Sequence, residues 1–541
     1  MTAPAPASAP TSPQASAAGG PVPVTYLDVA ATQIQSYLSR TRRLWGRRGA
    51  SAVLAERASP ARNPQLLYVG DGITVEPNPQ AGEKDGVVSV IVASVDDQQI
   101  RRVAEHIAGL LLSDLPGLPL SARWAAGPTY IHAYSAMNAT GPRLQWLPPR
   151  LEYPPNLLCQ ECGFDAATDE ITVVGTAMKV CADCFARRNG LDDRPPQEKA
   201  RSITRHPAVV HRTSDGVGTF TIEAELLRRF DARATGRTLR ATDDLKDLAE
   251  QGDDPRGNHI ATIAADGNSL GRLFHAATHQ AVSRTPPQGT AGRGEVPDRP
   301  PVDLLGLSRA VTAATKEAVL AATEAAFDPD ADQYLTVVPH ILGGDDVLVS
   351  VPADRAWRFV RALLTAFDGG TEQARHLAAV ADQLEIKPPS LSAGVVISHA
   401  ALPFGQQVAL AEQLLIQAKT QVEGDGYSVA WLDTTVDGPR PVTGRHPWTA
   451  AELDRAASGL TALASIPASA RQALAREIDT PDHVLAQVRV RSRLDRQDPA
   501  VRQAVQDYLD GRAPNLLAAD WKATDLVNVL RDGLSLARWW R

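Results

Sequence analysis

The sequence predicts an α+β protein with two ferredoxin-like domains, a four-cysteine segment between them and a C-terminal helical bundle. Three observations carry this. Short runs rich in Val, Ile and Leu alternate twice with amphipathic stretches of helical period. All four cysteines fall between Cys159 and Cys184. From residue 437 onward the apolar spacing is helical and the strand-type runs disappear.

A chain of 541 residues is too long for one core and suggests three or four domains. Hydrophobic residues make up 43%, so most of it should fold. The formal net charge of −7 argues against a chain-wide electrostatic grip on nucleic acid and leaves room for local basic patches. No apolar run reaches the roughly 18 residues of a membrane span, so no membrane partner is expected. Residues 1–21 lack a basic start and an apolar run, so they are not a secretory signal. Their Ala, Pro and Ser content predicts a disordered tail. A cytoplasmic location is expected.

Residues 22–150 form the first predicted domain. "VTYLDVAATQIQSYL" begins as a strand and becomes a helix, and "RRLWGRRGASAVLAERA" reads as a basic turn and a second helix. "QLLYVGDGITVEP" reads as a hairpin around Gly-Asp-Gly, "DGVVSVIVASV" as a further strand and "DQQIRRVAEHIAGLLLSDL" as an amphipathic helix. The cysteine segment spans 151–190, and 191–256 is a polar region with helical pieces. The second domain, 257–436, reads β-α-α-β-β-α-β-α-β, a ferredoxin-like or palm order. "TPPQGTAGRGEVPDRPP" interrupts it with the composition of a surface insertion. Residues 437–541 are expected to be a helical bundle.

The cysteines read Cys159-x-x-Cys162 and Cys181-x-x-Cys184. Two such knuckles place four thiolates at tetrahedral reach, a structural zinc signature with no position left for a water. Zinc would stabilise a segment too small for its own core. A redox dithiol, the alternative, would not need both pairs.

The chemistry-bearing stretch is "HILGGDDVLVSVP", His340 to Pro352. Gly343 and Gly344 permit positive φ and a close backbone approach to a ligand. Asp345 and Asp346 are adjacent like charges, unfavourable unless cations or solvent offset them. Asp266 ends the strand "HIATIAAD" directly before Gly267, and in a palm it would face the hairpin tip. Asp266, Asp345 and Asp346 together suit two Mg²⁺ or Mn²⁺ ions for phosphoryl transfer. Gly267 and Gly271 leave room for a triphosphate near a helix start. The plainer reading is a turn with two solvated aspartates.

At this point the chain resembles the large, polymerase-like subunit of type III CRISPR effector complexes. The resemblance rests on "ADGNSLGRLF", "ILGGDDVLVSVP", "SAGVVISHAALPFGQQVALAEQLLIQAK", the four-cysteine segment and "IQSYLSRTRRLWGRRGASAVL". It implies an ATP-consuming synthase of cyclic oligoadenylates, with Asp266, Asp345 and Asp346 holding the metals. It also implies guide RNA and other effector subunits as partners. Lys419 sits where related palms place a phosphate-contacting lysine, and it also fits an ordinary helix lysine. His399 reads as structural. Where the family often has Asp-Gly-Asp, this chain has Asp266-Gly267-Asn268, so Asn268 lines the nucleotide site without a carboxylate. No His-Asp dipeptide occurs, so no HD-type nuclease activity is expected. The "YVGDGITV" turn has the single Asp71, which implies a first palm without metal chemistry. Arg42, Arg43, Arg47 and Arg48 form either a solvated basic loop or a contact for RNA or a partner subunit. The alternatives are a diguanylate-cyclase-like enzyme, disfavoured because Val347 follows the aspartates, an effector scaffold with little synthesis, and a stand-alone synthase.

Overall fold

The computed structural model describes residues 24–41, 44–70, 72–81, 86–148, 157–173, 176–189, 222–234, 238–242, 244–252, 258–284, 302–423, 426–442, 445–512 and 523–541. The predicted tail, the insertion at 285–301, Asp71, Arg42 and Arg43 lie outside them.

The first sheet contains β1 (Thr25–Ala31), β2 (Val75–Pro77), β3 (Val87–Val92), β4 (Leu120–Ala126) and β5 (Leu144–Trp146) in the order β2-β3-β1-β4-β5. Helices α1 (Ile34–Ser39) and α2 (Leu44–Arg57) follow β1, α3 (Asp97–Asp114) follows β3 and α4 (Tyr130–Thr140) follows β4. One face of the sheet, with Leu27, Val29, Val88 and Val90, packs against α2 and α3. The other face carries Tyr26 against Tyr130 and Met137 of α4.

The predicted hairpin around Gly-Asp-Gly is not formed. Asn63-Pro64 opens a 3₁₀ turn over Pro64–Leu67, and Gly70 and Gly72 both take positive φ, so the first arm does not extend as a strand, while the second arm supplies β2. The first sheet's hairpin is instead β2–β3, with Val75 opposite Val92.

A short antiparallel pair, β6 (Asp169–Val173) and β7 (Thr176–Val180), and helix α5 (Ala182–Asn189) make up the described cysteine segment. Helices α6 (Ile222–Asp231) and α7 (Leu245–Glu250) follow.

The second sheet contains β8 (His259–Asn268), β9 (Val338–Gly343), β10 (Asp346–Pro352), β11 (Ser390–His399), β12 (Ser428–Asp433) and β13 (Trp448–Thr449), in the order β13-β12-β11-β8-β10-β9. Its core order β9-β10-β8-β11 repeats the β2-β3-β1-β4 order of the first sheet. The helices are α8 (Leu270–Arg284), α9 (Leu304–Ala326), α10 (Ala356–Thr365), α11 (Glu372–Gln383) and α12 (Phe404–Gln421). Helix α11 was not foreseen in the sequence. Both faces are covered, which explains the near-continuous apolar runs. Ala261, Ile263, Val347, Val349 and Val395 face α8–α11. Ile260, Ala264, Leu348, Val396 and Ala430 face α12, together with Leu44 from α2.

Among the described residues, five helices close the chain: α13 (Ala450–Ser465), α14 (Ala468–Ile478), α15 (His483–Asp495), α16 (Pro499–Arg512) and α17 (Ala523–Ala537). They share one continuous core with the second sheet, through Trp357, Trp431, Trp448 and Trp540. The segment was expected to be helical throughout, yet Trp448–Thr449 adds a strand to the sheet edge. That pairing leaves the Trp448 indole 1% exposed.

Candidate active site

Strand register assembles the acidic site. Val347 pairs with Ala265 and Pro352 with Ile260 in the antiparallel β8–β10 ladder. Continued by one and two residues, that register sets Asp346 opposite Asp266 and Asp345 opposite Gly267. Directly opposed residues share a face, so Asp266 and Asp346 both lie on the side covered by α12. Gly343 pairs with Asp346, leaving Gly344 and Asp345 as a two-residue turn, and Gly344 takes φ 61° at its first position. Glycine is favoured there because a Cβ would be strained. Asp266 does not end its strand: β8 runs on to Asn268, and Ser269 at φ 64° then turns the chain into α8.

Helix α12 crosses the sheet at Gly394. A Cβ there would overlap the Ala411 carbonyl and lie 2.5 Å from the Leu415 nitrogen. This close approach, two helical turns before Lys419, brings the lysine over the strand ends. Its ammonium pairs with Asp266 Oδ2 and donates to the Gly267 carbonyl at 3.0 Å. Below this pair runs a buried polar chain. Thr262 Oγ1 donates to Gln407 of α12 at 2.7 Å and approaches Ser350 Oγ at 3.3 Å, and Ser350 also meets His340 Nε2 at 2.8 Å.

The carboxylates are electrostatically crowded. Burial first, then the hydrogen bond and charge of Asp266 and the charge of Asp346, push Asp345 up to about 7. Burial and the Asp266 charge push Asp346 up to about 6, against the lowering pull of Lys419. Glu412 of α12 adds to the raising field on Asp346, and its own carboxyl is raised by burial. A cluster that resists full ionisation fits hard divalent cations, which would relieve the repulsion. The three aspartates do not form a closed set on their own. Among the described residues, only the cysteines bring three or more ligand atoms within 4.8 Å of one another.

The other expected residues divide. Gly267 is tight, since a Cβ there would overlap Leu270 Cδ1 and come within 2.8 Å of Asp345 Oδ2. Gly271 has open space around it, so nothing in the fold requires a glycine there. Asn268 is turned inward, contrary to its reading as a nucleotide contact. It is 2% exposed and its amide nitrogen donates to Ser390 Oγ, Ser392 Oγ and the Gly426 carbonyl, tying β8 to β11. His399 is structural: its Nδ1 accepts from Ala401 N–H. Arg47 belongs neither to a loop nor to the solvent. It lies on α2, buried, with its guanidinium stacked 3.4 Å from the Phe404 ring centre.

Two site residues escaped the sequence reading. Glu412 precedes Lys419 by two helical turns, a spacing that puts both on one stripe. Gln35 of α1 reaches across from the first domain, and its Nε2 donates to Asp346 Oδ1 at 3.3 Å. No local signal marks Gln35. Among the described residues, the first sheet has no counterpart to Asp266. The matching end of β1 is Ala30–Ala31, where Ala31 N–H donates to the Gly86 carbonyl.

Cys159, Cys162, Cys181 and Cys184 are all buried with mutually close sulfurs, and Cys162 and Cys181 Sγ are 3.9 Å apart. Cys162 N–H donates to Cys159 Sγ and Cys184 N–H to Cys181 Sγ, each at 3.4 Å. Hydrogen bonds from the other three thiols, Cys162 first, hold Cys159 well below the ordinary thiol range. Four soft ligands in this arrangement fit a structural zinc ion.

Residues 259–427 match the family model described as Cas10/Cmr2, second palm domain. The stretch carrying the aspartates, less than a third of the chain, is thus similar to a Cas10/Cmr2 second palm domain. The palm expectation drawn from the GGDD stretch thus holds, with the α+β architecture around it. Among solved structures, the chain is similar to "Crystal structure of Csm1-Csm4 cassette in complex with pppApA", at 15% identity and a TM-score of 0.47, covering 96% of this chain and 70% of that one. It is also similar to "Crystal structure of Csm1-Csm4 subcomplex in the type III-A CRISPR-Csm interference complex", at 14% identity and a TM-score of 0.47, covering 97% and 72%. No curated protein matches the chain in sequence. Among the described residues, no helix is long and apolar enough to cross a membrane.

Proposed function

We propose that the chain is the nucleotidyltransferase subunit of a type III CRISPR effector, joining ATP into cyclic oligoadenylates. The observation that carries this is the convergence of Asp266, Asp345, Asp346 and Lys419 at the open end of the β8–β10 pair, in a stretch similar to a Cas10/Cmr2 second palm domain. Asp266, Asp345 and Asp346 would hold two Mg²⁺ or Mn²⁺ ions. When bound, such ions supply charge neutralisation for the triphosphate and acidify the attacking 3′-hydroxyl.

The chain's own residues do the rest. Asp345 and Asp346 must be ionised to bind cations, and without cations burial and neighbouring acids raise them to about 7 and about 6, so protons compete with cation binding as the pH falls. Lys419, already at Asp266 and the Gly267 carbonyl, contributes the fixed positive charge nearest the reacting phosphates. Gly267 keeps the strand surface bare beside Asp345, and Gly344 lets the turn present both acids. The 3′-hydroxyl of one nucleotide attacks the α-phosphorus of the next and pyrophosphate leaves. Adenine as the base, guide RNA and companion effector subunits rest on the family alone. The cysteine cluster would hold zinc and serve the fold.

The test is synthesis from labelled ATP or GTP with Mg²⁺ or Mn²⁺, by the chain alone and assembled with effector subunits and target RNA. An Asp345→Ala/Asp346→Ala variant runs beside each, with products read by mass spectrometry. Cyclic adenylates from the unmodified chain only are expected. A guanylate product would replace this reading with the diguanylate-cyclase one. Silence even in the assembled complex would make the chain a scaffold.

A further inference from the structure

The contact between Gln35 and Asp346 raises the question of what holds Gln35 in place. Helix α1 has six residues, too few to persist on its own propensity. Its position is therefore set by what it packs against, and the cysteine segment grips it from two sides. Asp183, between Cys181 and Cys184, accepts from the Tyr37 hydroxyl at 2.8 Å and from Gly117 N–H at 3.1 Å. Arg187, one turn further along α5 and fully buried, donates to Asp183 Oδ2 at 2.8 Å and to the Tyr37 carbonyl at 3.0 Å. Its guanidinium lies 3.9 Å from the centre of the Tyr37 ring. Just past α1, Arg40 is ion-paired to Asp165, which lies between the two cysteine pairs. A Cβ at Gly49 of α2 would overlap the Arg187 carbonyl oxygen, so α5 and α2 meet at van der Waals limits. Tyr37 is two residues from Gln35.

We infer that Arg187 is a positioning residue for the acidic site: it anchors α1 so that Gln35 orients the Asp346 carboxylate for cation binding. The four-cysteine segment thereby acts on the second palm through the first. A hydrogen-bonded partner behind a metal ligand typically contributes about 10- to 100-fold in metal affinity. A buried arginine whose fork bridges the Asp183 carboxylate and the Tyr37 carbonyl is suited to fixing a short helix because its planar guanidinium leaves little freedom to lose. The inference rests on the proposal that the aspartates bind divalent cations.

The experiment measures Mn²⁺ affinity of the full chain by electron paramagnetic resonance, without nucleotide. The forms are the unmodified chain, Gln35→Ala, Arg187→Ala, the Gln35→Ala/Arg187→Ala double variant, Tyr37→Phe and Asp345→Ala/Asp346→Ala. Zinc content and thermal unfolding are recorded for each. Arg187→Ala and Gln35→Ala should each weaken Mn²⁺ about tenfold, and the double variant should be no weaker than either, because both break one linkage. Tyr37→Phe keeps the ring and the carbonyl that Arg187 holds and loses only the hydroxyl bond, so its affinity should fall less than that of Arg187→Ala. Should Arg187→Ala unfold, Tyr37→Phe combined with Gln35→Ala supplies the same non-additivity test. Unchanged Mn²⁺ affinity in Arg187→Ala with zinc retained, or additive losses in the double variant, would overturn the inference while leaving the aspartate site intact. Mn²⁺ binding indifferent to Asp345→Ala/Asp346→Ala would instead overturn the cation site itself, and the inference with it.

Discussion

Asp345→Asn should stabilise this protein in the absence of divalent cations and abolish the stabilisation that such cations bring. The carboxyl is raised from an ordinary 3.8 to about 7 by burial and by Asp266 and Asp346. A raised carboxylate pKa means that the folded state disfavours the charged form. The penalty is absent below the unfolded value, grows between about 4 and 7, and is complete above 7. Roughly three units at about 1.4 kcal/mol each give ~4 kcal/mol. Partial exposure of the side chain and solvent screening reduce this to about 2 kcal/mol. The isosteric amide removes the charge and keeps the shape. The transition of the second palm should therefore rise by about 4–8 °C at pH 8 in magnesium-free buffer, and clearly less at pH 5, where the wild-type acid is protonated. With Mg²⁺ at a hundred times its dissociation constant, the unmodified chain should gain about 2.7 kcal/mol and the variant nothing comparable. Differential scanning fluorimetry at two pH values, with and without Mg²⁺, reads all four corners. A variant no more stable than wild type at pH 8, or a gain of equal size at pH 5, would refute the crowding argument.

Two further outcomes follow from the same geometry. Lys419→Met removes the cation that lowers Asp346, so the acid limb of the synthesis profile should move to higher pH and turnover should drop roughly a hundredfold; a pH–rate profile of the active assembly checks both. Gly394→Ala drives a Cβ into the Ala411 carbonyl, and lifting α12 off the sheet should cost about 1–3 kcal/mol, seen as a lower melting temperature with reduced Mn²⁺ affinity.

Much of the site could be read from the sequence because its signals are local. A turn glycine beside two acids, an acid before a glycine near the end of a strand and paired Cys-x-x-Cys knuckles each announce their candidate chemistry within a few residues. Misreadings arose where a local pattern had more than one tertiary outcome. "YVGDGITV" has strand-like residues, yet Asn63-Pro64 and two positive-φ glycines divert its first half, and its end instead opens β2, which pairs with β3. Asn268 looked like a ligand-facing neighbour of Asp266, but three acceptors on β11 and at Gly426 turn it inward. Arg47 looked like surface charge, and only the docking of α2 against α12 reveals Phe404 beneath it.

By itself, then, the sequence determined most element types of the second palm, all but α11, and singled out its candidate acids and the cysteine cluster, because period, turn chemistry and ligand spacing act over a few residues. Only the tertiary structure decided the register that sets Asp266 opposite Asp346, that Lys419 reaches Asp266, and that Gln35 meets Asp346. Those pairings join residues about 80 to more than 300 positions apart. They are chosen by strand register and by how closely two domains pack, and no short-range pattern encodes either.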